Sequence, residues 1–410
     1  MSESRNGGGR VELVSSLSDL IVSDVGVNVQ AGQIVGITAA PGMEAVWRAV
    51  AEAAYRRGAS YVDLWVFDGH VKHSRLTHAP LHSLAYRPPW WGERYRSLGA
   101  LAGAQIRLAG EPALGLMEDI APERLGIDMM PRLPETLEVT HARQWNWIVT
   151  PGPCAGWAAR LYPDLTEAAA LDRLWEEIAD IMRLGEPDPA AAWRERFAQL
   201  DAVARRLTAL KLDALHFQGP GTDLRVGLLP GSLWQSAGDE TAGGIPFTAN
   251  LPTEEVFTAP DPVRVDGHVR ATRPLTVGGG TVVDLEVHFL EGRAVEVSAR
   301  QGAGLVEAMI ATDPGAARLG EVALVDAESR IGRLGTVFSE TLLDENAASH
   351  IALGAAYPDT VSDAGSRAQI NESSIHIDFM IGSPEISVTG LTADGGQLPL
   401  LRDGRWQFAV

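Results

Sequence analysis

Glu345, His350 and Tyr357 follow one another in the stretch 338–358, and His376 and Asp378 stand two residues apart in the stretch 371–380. Carboxylates and neutral imidazoles are the side chains that hold divalent cations, so each stretch offers half of a metal site. The first is set in Asp344-Glu345-Asn346-Ala347-Ala348-Ser349-His350-Ile351-Ala352-Leu353-Gly354-Ala355-Ala356-Tyr357-Pro358. Alanine is the best helix former and proline cannot continue a helix, which predicts a short helix over about 344–357. On that helix Asn346, His350, Leu353 and Tyr357 share one side. Glu345 falls at its start, where the macrodipole favours a carboxylate. In the second stretch Ile375, Ile377 and Phe379 alternate with His376 and Asp378. That is the period of a half-buried strand, and it aims His376 and Asp378 the same way.

Two further segments supply acids. Asn250-Leu251-Pro252-Thr253-Glu254-Glu255-Val256-Phe257-Thr258 places two carboxylates in an otherwise apolar run, and Gly320-Glu321-Val322-Ala323-Leu324-Val325 places one at the mouth of an apolar strand. Taken singly, each acid reads as a solvated surface residue, and His376 as a core histidine as readily as a ligand. Arg330-Ile331-Gly332-Arg333 and Glu340 read as surface. The combination reads differently. Glu255, Glu321, Glu345, His350, His376 and Asp378 fall in one half of the chain, several beside strongly apolar residues. Six such groups repel one another or are desolvated at high cost unless cations neutralise them. They suffice for two divalent ions with one bridging carboxylate, and such a pair polarises a carbonyl and generates hydroxide near neutral pH.

The rest of the chain has to position these groups. At 410 residues it is long for one hydrophobic core, so two domains are expected. Apolar residues at 45% and charged ones at 21% are ordinary globular values. A net charge of −19 argues against nucleic acid or an anionic membrane as partner, because phosphate binding needs surplus Lys and Arg. The single cysteine, Cys154, excludes an intramolecular disulfide and a CxxC zinc site and fits a reducing compartment. No apolar run reaches membrane-spanning length, and the Gly-rich start, expected to be loose, is not a signal peptide. The expectation is a soluble cytoplasmic protein.

Gln33 to Thr38 reads as a buried strand, Met43 to Arg57 as a helix ended by Gly58, and Tyr61 to Val66 as a second strand. A strand–helix–strand unit implies a parallel sheet, and without GxGxxG after the first strand no dinucleotide site is inferred. Ala104 to Leu108 and Trp145 to Thr150 add strands, and 166–184 and 189–210 two amphipathic helices whose tryptophans read as core. Beyond Asp213 the chain turns strand- and turn-rich, with Gly219-Pro220-Gly221, Gly243-Gly244 and Gly278-Gly279-Gly280 as punctuation, a hairpin about Glu291-Gly292 and another over 386–410. The fold class expected is α/β and α+β in two domains. Residues 1–211 form an N-terminal Rossmann-like α/β domain with a parallel sheet, and residues 212–410 a C-terminal mixed α/β catalytic domain.

Three segments resemble signatures of one family. The runs 252–261 (Pro-Thr-Glu-Glu-Val-Phe-Thr-Ala-Pro-Asp), 340–354 (Glu-Thr-Leu-Leu-Asp-Glu-Asn-Ala-Ala-Ser-His-Ile-Ala-Leu-Gly) and 375–382 (Ile-His-Ile-Asp-Phe-Met-Ile-Gly) are similar, in order and spacing, to those of the thermophilic aminopeptidase T family, metallopeptidase family M29. Weaker resemblance extends through the N-terminal half and Gly219 to Leu224. The resemblance implies a two-domain protomer, a homodimer whose active sites face an internal cavity, and two divalent ions per site, zinc, cobalt or manganese. By position it makes Glu255, Glu321, Glu345, His350, His376 and Asp378 metal ligands, with Glu321 as the bridge and Glu255 preferred to Glu254. Glu345 doubles as a proton shuttle or remains a ligand alone, and Tyr357 donates to the developing oxyanion. Ser339 stands where the family pattern has asparagine. The implied activity is removal of the first residue from peptides with a free amino terminus, by metal-hydroxide attack on the first peptide carbonyl. The competing readings are a mononuclear iron ring-cleaving dioxygenase, a catalytically silent metal-binding homologue, and a dinuclear hydrolase of another amide.

Overall fold

The computed structural model describes residues 3–409 except Glu111, Leu114, Met129, Arg132, Gly278 and Gly279. The Gly278-Gly279 part of the expected punctuation therefore lies outside the described residues. The chain divides into two compact units, one of residues 1–196 and 238–252, the other of 197–237 and 253–410. Composition drew a single line after residue 211. The division by contacts falls earlier, and a later segment returns to the first unit.

The first unit opens on the helix Glu3–Val22, where a loose terminus was expected. Val14, Leu17, Leu20 and Ile21 are buried along it at three- and four-residue steps, and that apolar stripe outweighs the glycines before it. Strands β1 (Ile34–Ala39), β2 (Tyr61–Val66), β3 (Ala104–Ala109) and β4 (Asn146–Pro151) form a parallel sheet in the order β2-β1-β3-β4. The helix Glu44–Arg56 connects β1 to β2 and buries Val46, Val50, Ala53 and Ala54. The strand–helix–strand unit read from the sequence is present, with β1 in parallel register with β2 from Ile34↔Tyr61 to Ala39↔Val66.

The second unit is built mainly from antiparallel strands. Strands β5 (Ala214–Gly219) and β6 (Thr222–Leu228) form a hairpin, whereas the short pair β7 (Gly238–Glu240) and β8 (Pro246–Thr248) belongs to the first unit. There follow β9 (Glu255–Thr258), β10 (Pro260–Arg270), β11 (Leu275–Val277), β12 (Gly280–Val282), β13 (Glu286–Leu290) and β14 (Arg293–Ser298). The last strands are β15 (Leu319–Val325), β16 (His350–Gly354), β17 (His376–Met380), β18 (Ser387–Leu391), β19 (Gln397–Arg402) and β20 (Arg405–Trp406). The turn between β13 and β14 is Glu291-Gly292, with φ of 49° and 79°, so the expected hairpin closes through two left-handed residues. An eight-stranded sheet runs β14-β13-β10-β6-β5-β18-β19-β20, and a four-stranded antiparallel sheet runs β17-β16-β15-β9. One apolar core joins the inner faces of both, from Phe217 and Val226 to Leu324, Ile351 and Phe379. Among the described residues no helix is long and apolar enough to cross a membrane.

The alanine-rich run departs from expectation. Helix covers only Thr341–Glu345, and His350–Gly354 is the strand β16, flanked on both sides by β15 and β17. Tyr357 lies beyond it at the start of a 3-10 turn. Alanine's helix preference is worth only fractions of a kcal/mol per residue. Two ladders of backbone hydrogen bonds and the burial of Ile351 and Leu353 outweigh it. Asn346, His350, Leu353 and Tyr357 consequently do not share a helix face.

Candidate metal centre

Directly opposite residues in an antiparallel sheet point to the same face, so the register of β9-β15-β16-β17 assigns every side chain. Val256, Val322, Leu324, Ile351, Leu353, Ile377 and Phe379 fall on one face and join the apolar core. Glu255, Glu321, His350, His376 and Asp378 fall on the other. Ala352 pairs with Glu321 on one side and Asp378 on the other, and Ala323 pairs with both Phe257 and His350. Small residues thus lie between the ligand-type ones and leave room above the sheet.

One irregularity makes this possible. The register of β15 against β16 shifts between Leu319, opposite Leu353, and Glu321, opposite Ala352. Without that bulge the two would share a face; with it Leu319 enters the core and Glu321 the ligand side. Gly320 sits at the shift, where a Cβ would come within 2.3 Å of the carbonyl oxygens of Gly354 and Ala355. The backbones approach too closely there for any side chain.

The imidazoles are oriented from behind. His376 Nδ1 lies 2.8 Å from the Ala355 carbonyl oxygen and His350 Nδ1 lies 3.2 Å from that of Ala348. A carbonyl can only accept, so each Nδ1 carries hydrogen and each Nε2 faces the acids. His350 Nε2 is 2.9 Å from Glu255 Oε2 and 3.6 Å from Glu321 Oε1. His376 Nε2 is 3.2 Å from Asp378 Oδ1 and 3.6 Å from Glu321 Oε2. The two oxygens of Glu321 therefore reach toward different histidines, with Glu255 at one end of the row and Asp378 at the other. Ligand atoms of Glu255, Glu321 and His350, all buried, lie within 4.8 Å of one another.

Glu345 comes from the helix Thr341–Glu345 and is buried. Asn346 holds that helix end against the segment before β9. Its fully buried side chain accepts the Glu254 N–H at 2.6 Å and donates to the Leu342 carbonyl at 2.9 Å. It is Glu255, not Glu254, whose carboxylate reaches His350. Tyr357, 42% exposed, sets its ring 5.5 Å from the His376 ring and 6.0 Å from that of Phe257. Glu255, Glu321, His350, His376 and Asp378 are thus brought together in one row, and Glu345 is near enough to feel the charges of Asp378, Glu255 and Glu321.

The electrostatics are those of a crowded, desolvated anionic site. Burial, reinforced by Asp378, Glu255 and Glu321, pushes the Glu345 carboxyl well above the usual carboxylate range. Burial also raises Glu321, against the hydrogen bond from His350. Burial disfavours the charged imidazoles, but the neighbouring carboxylates prevail. His350 is raised well above its ordinary value, chiefly by Glu255, and His376 to about 10, chiefly by Asp378. Asp378 is lowered, His376 overcoming the effect of burial. Desolvation, followed by the charges of Glu321, Asp378 and Glu345, pushes the Tyr357 phenol well above the tyrosine range. Glu255 Oε2 is buried without a hydrogen-bond partner, its close approach to His350 not being aligned as one. An unsatisfied buried carboxylate oxygen, four acids against two imidazoles, and a mixed oxygen and nitrogen donor set fit divalent cations.

Sequence reasoning missed what lies behind these groups. The carbonyls of Ala348 and Ala355 carry no residue-type signal, and the spacing Ala323, Ala352, Gly354 acquires meaning only in register. Asn346 is visible in sequence, but the helix face to which its spacing assigns it does not form.

Comparison with known proteins follows the same lines. Residues 11–406 match the family model described as thermophilic metalloprotease (M29). Aminopeptidase T of Thermus thermophilus is 42% identical over 403 residues, covering 96% of this chain and 98% of that protein. Aminopeptidase 2 of Geobacillus stearothermophilus is 35% identical over 398 residues, covering 94% and 96%. A solved structure titled wild-type AmpT from Thermus thermophilus superposes with a TM-score of 0.89 at 40% identity, covering 97% of this chain and 99% of that one.

Proposed function

This chain belongs to the thermophilic metalloprotease (M29) family, and on that premise we propose that it is a dinuclear aminopeptidase releasing the first residue of peptides with a free amino terminus. Metal-dependent aminopeptidase activity is what the family and the relatives' names support. The observation that carries the dinuclear reading is Glu321, whose two oxygens face two histidines in a row ending in Glu255 and Asp378. Glu255, Glu321 and His350 would hold one ion, and Glu321, His376 and Asp378 the other, with Glu345 completing the set. When bound, two such ions supply a Lewis acid for the carbonyl oxygen and a water acidified to near-neutral pKa.

The chain's own residues do the rest. Glu345, as a buried carboxylate beside the row, would take a proton from water and pass it to the leaving amine, or serve as a ligand alone. Tyr357 keeps its phenolic proton and serves as a hydrogen-bond donor to a developing oxyanion. The Ala348 and Ala355 carbonyls fix both imidazoles in the tautomer that presents Nε2. The substrate amine would bind one of the ions or a site carboxylate, which requires an unblocked terminus. The same reading carries a cytoplasmic homodimer acting on peptides, without nucleic acid or membrane as partner.

Elemental analysis of the purified chain, with hydrolysis of aminoacyl amides before and after chelation, tests this. Two equivalents of zinc, cobalt or manganese per chain, with activity lost on chelation and absent on N-acetylated substrates, are expected. Hydrolysis that survives complete metal removal overturns it.

A further inference from the structure

The outer face of the eight-stranded sheet carries a second set of metal-type side chains. Asp223 on β6, His268 on β10, His288 on β13 and Glu296 on β14 are paired directly across four consecutive strands. Opposite residues of an antiparallel pair have Cβ atoms about 4.5–5.5 Å apart on one face, so these four form a continuous row. Their neighbours along the strands, Leu224, Val269 and Val287, are buried on the other face, whereas the four are exposed. The two imidazoles are stacked, with ring centres 5.6 Å apart and planes 26° from parallel. Gly267, at φ 120°, precedes His268, and a Cβ there would fall 2.1 Å from the Asp223 carbonyl oxygen. The row thus sits where β6 and β10 leave no space for a side chain at Gly267.

The flanking cations are already engaged. Arg264 lies 2.7 Å and Arg225 3.7 Å from Asp213, and Arg270 lies 3.5 Å from Asp284 and 3.7 Å from Glu286. Asp223 is engaged too, 2.6 Å from His216 Nε2. That leaves two imidazoles with one open carboxylate, Glu296, beside them.

We propose that His268, His288 and Glu296 bind one divalent transition ion of the zinc or copper class, separate from the M29 centre. Tetrahedral coordination at about 2.0–2.1 Å puts two imidazole nitrogens about 3.3 Å apart. Exposed histidines whose ring centres are 5.6 Å apart reach that separation by turning about their side-chain torsions. Imidazole nitrogens with one carboxylate select zinc or copper over calcium or magnesium. Because β14 is the edge of the sheet, an ion held from β10, β13 and β14 staples that edge to its neighbours.

The test compares the full chain with the double variant His268→Ala/His288→Ala after equilibrium dialysis against micromolar zinc. The wild type is expected to retain one zinc more per chain, with equal hydrolysis of aminoacyl amides by both proteins. Glu296→Gln should weaken the additional zinc by about tenfold or more. His268→Gln, which keeps bulk and polarity at an exposed position, should also lose it, and this controls for disturbance of the sheet. Equal zinc in wild type and double variant overturns the proposal. The readout is a difference between two proteins with the same catalytic centre, so it stands or falls independently of how many ions that centre holds.

Discussion

Each unit contains one four-stranded sheet, and the two are used in opposite ways. In the parallel sheet the carboxyl ends of β3 and β4 are packed by apolar side chains. A Cβ on Gly110, just after β3, would lie 2.8 Å from the Trp157 ring, and one on Gly152, just after β4, 2.8 Å from the Met43 sulfur. Met43 and Trp157 are both fully buried. In open α/β sheets the strand ends are where ligands usually bind; here those of β3 and β4 are core. The antiparallel sheet β9-β15-β16-β17 and its strand-end helix instead bury Glu255, Glu321, Glu345 and His350 and half-bury His376 and Asp378. Keeping such groups out of water is costly, so they persist only where chemistry repays it. A fold-level analogy would have searched the first sheet, whereas the titratable groups point to the second.

Substitutions can break this contrast, and the largest effect is expected at its centre. Glu321→Gln should lower kcat/KM on the order of 10³-fold or more and reduce bound metal, while leaving the chain folded. Steady-state assay with metal analysis reads this, and unchanged activity would remove Glu321 from the mechanism. In the other sheet, Trp157→Ala should cost about 3–5 kcal/mol of stability, measured by denaturant unfolding. The fraction that remains folded should keep its kcat, and a selective loss of kcat would make the plugged strand ends functional.

The two faces of the antiparallel sheet give a sharper contrast. Ala352→Leu pushes a side chain between Glu321 and Asp378 and should lower activity about 10²-fold. Ile351→Val, one residue away on the apolar face, should cost about 0.5–1.5 kcal/mol and leave activity intact. If both behave alike, the division of faces is not what governs the site.

Protonation offers a milder test. In the metal-free chain His376 is raised to about 10, above an unfolded value of about 6.5. The stability it contributes is full below about 6.5 and is lost as pH rises through about 10. A cation requires the neutral imidazole and ionised carboxylates, so binding should expel protons at pH 8 and weaken as pH falls. Calorimetric titrations in buffers of different ionisation enthalpy should differ accordingly, and identical heats would contradict it. The smallest effect is expected at Ser339, which has φ 54°. The family asparagine expected there suits a left-handed backbone, whereas serine does not. Ser339→Gly should stabilise the chain by up to about 1 kcal/mol in thermal unfolding.

Much of this was legible in residue order. The alternation in 375–380 is local, and β17 forms as read, with His376 and Asp378 on one side. The strand–helix–strand unit and the Glu291-Gly292 hairpin also depend on neighbours a few residues apart. Six acids and histidines in one half of the chain, several beside apolar residues, already pointed to neutralising cations. What the chain could not announce locally was long-range pairing. Whether the alanine-rich run coils or extends is decided by β15 and β17 on either side of it, because weak helix propensity yields to two hydrogen-bonded ladders. The bulge that turns Glu321 from core to ligand side, the carbonyls that orient both histidines, and the alanines that leave room between the acids exist only once the strands are in register. Residue types therefore determined which chemistry was available, and tertiary pairing decided that it meets on one face, since a one-residue slip in a strand sends each side chain to the opposite side.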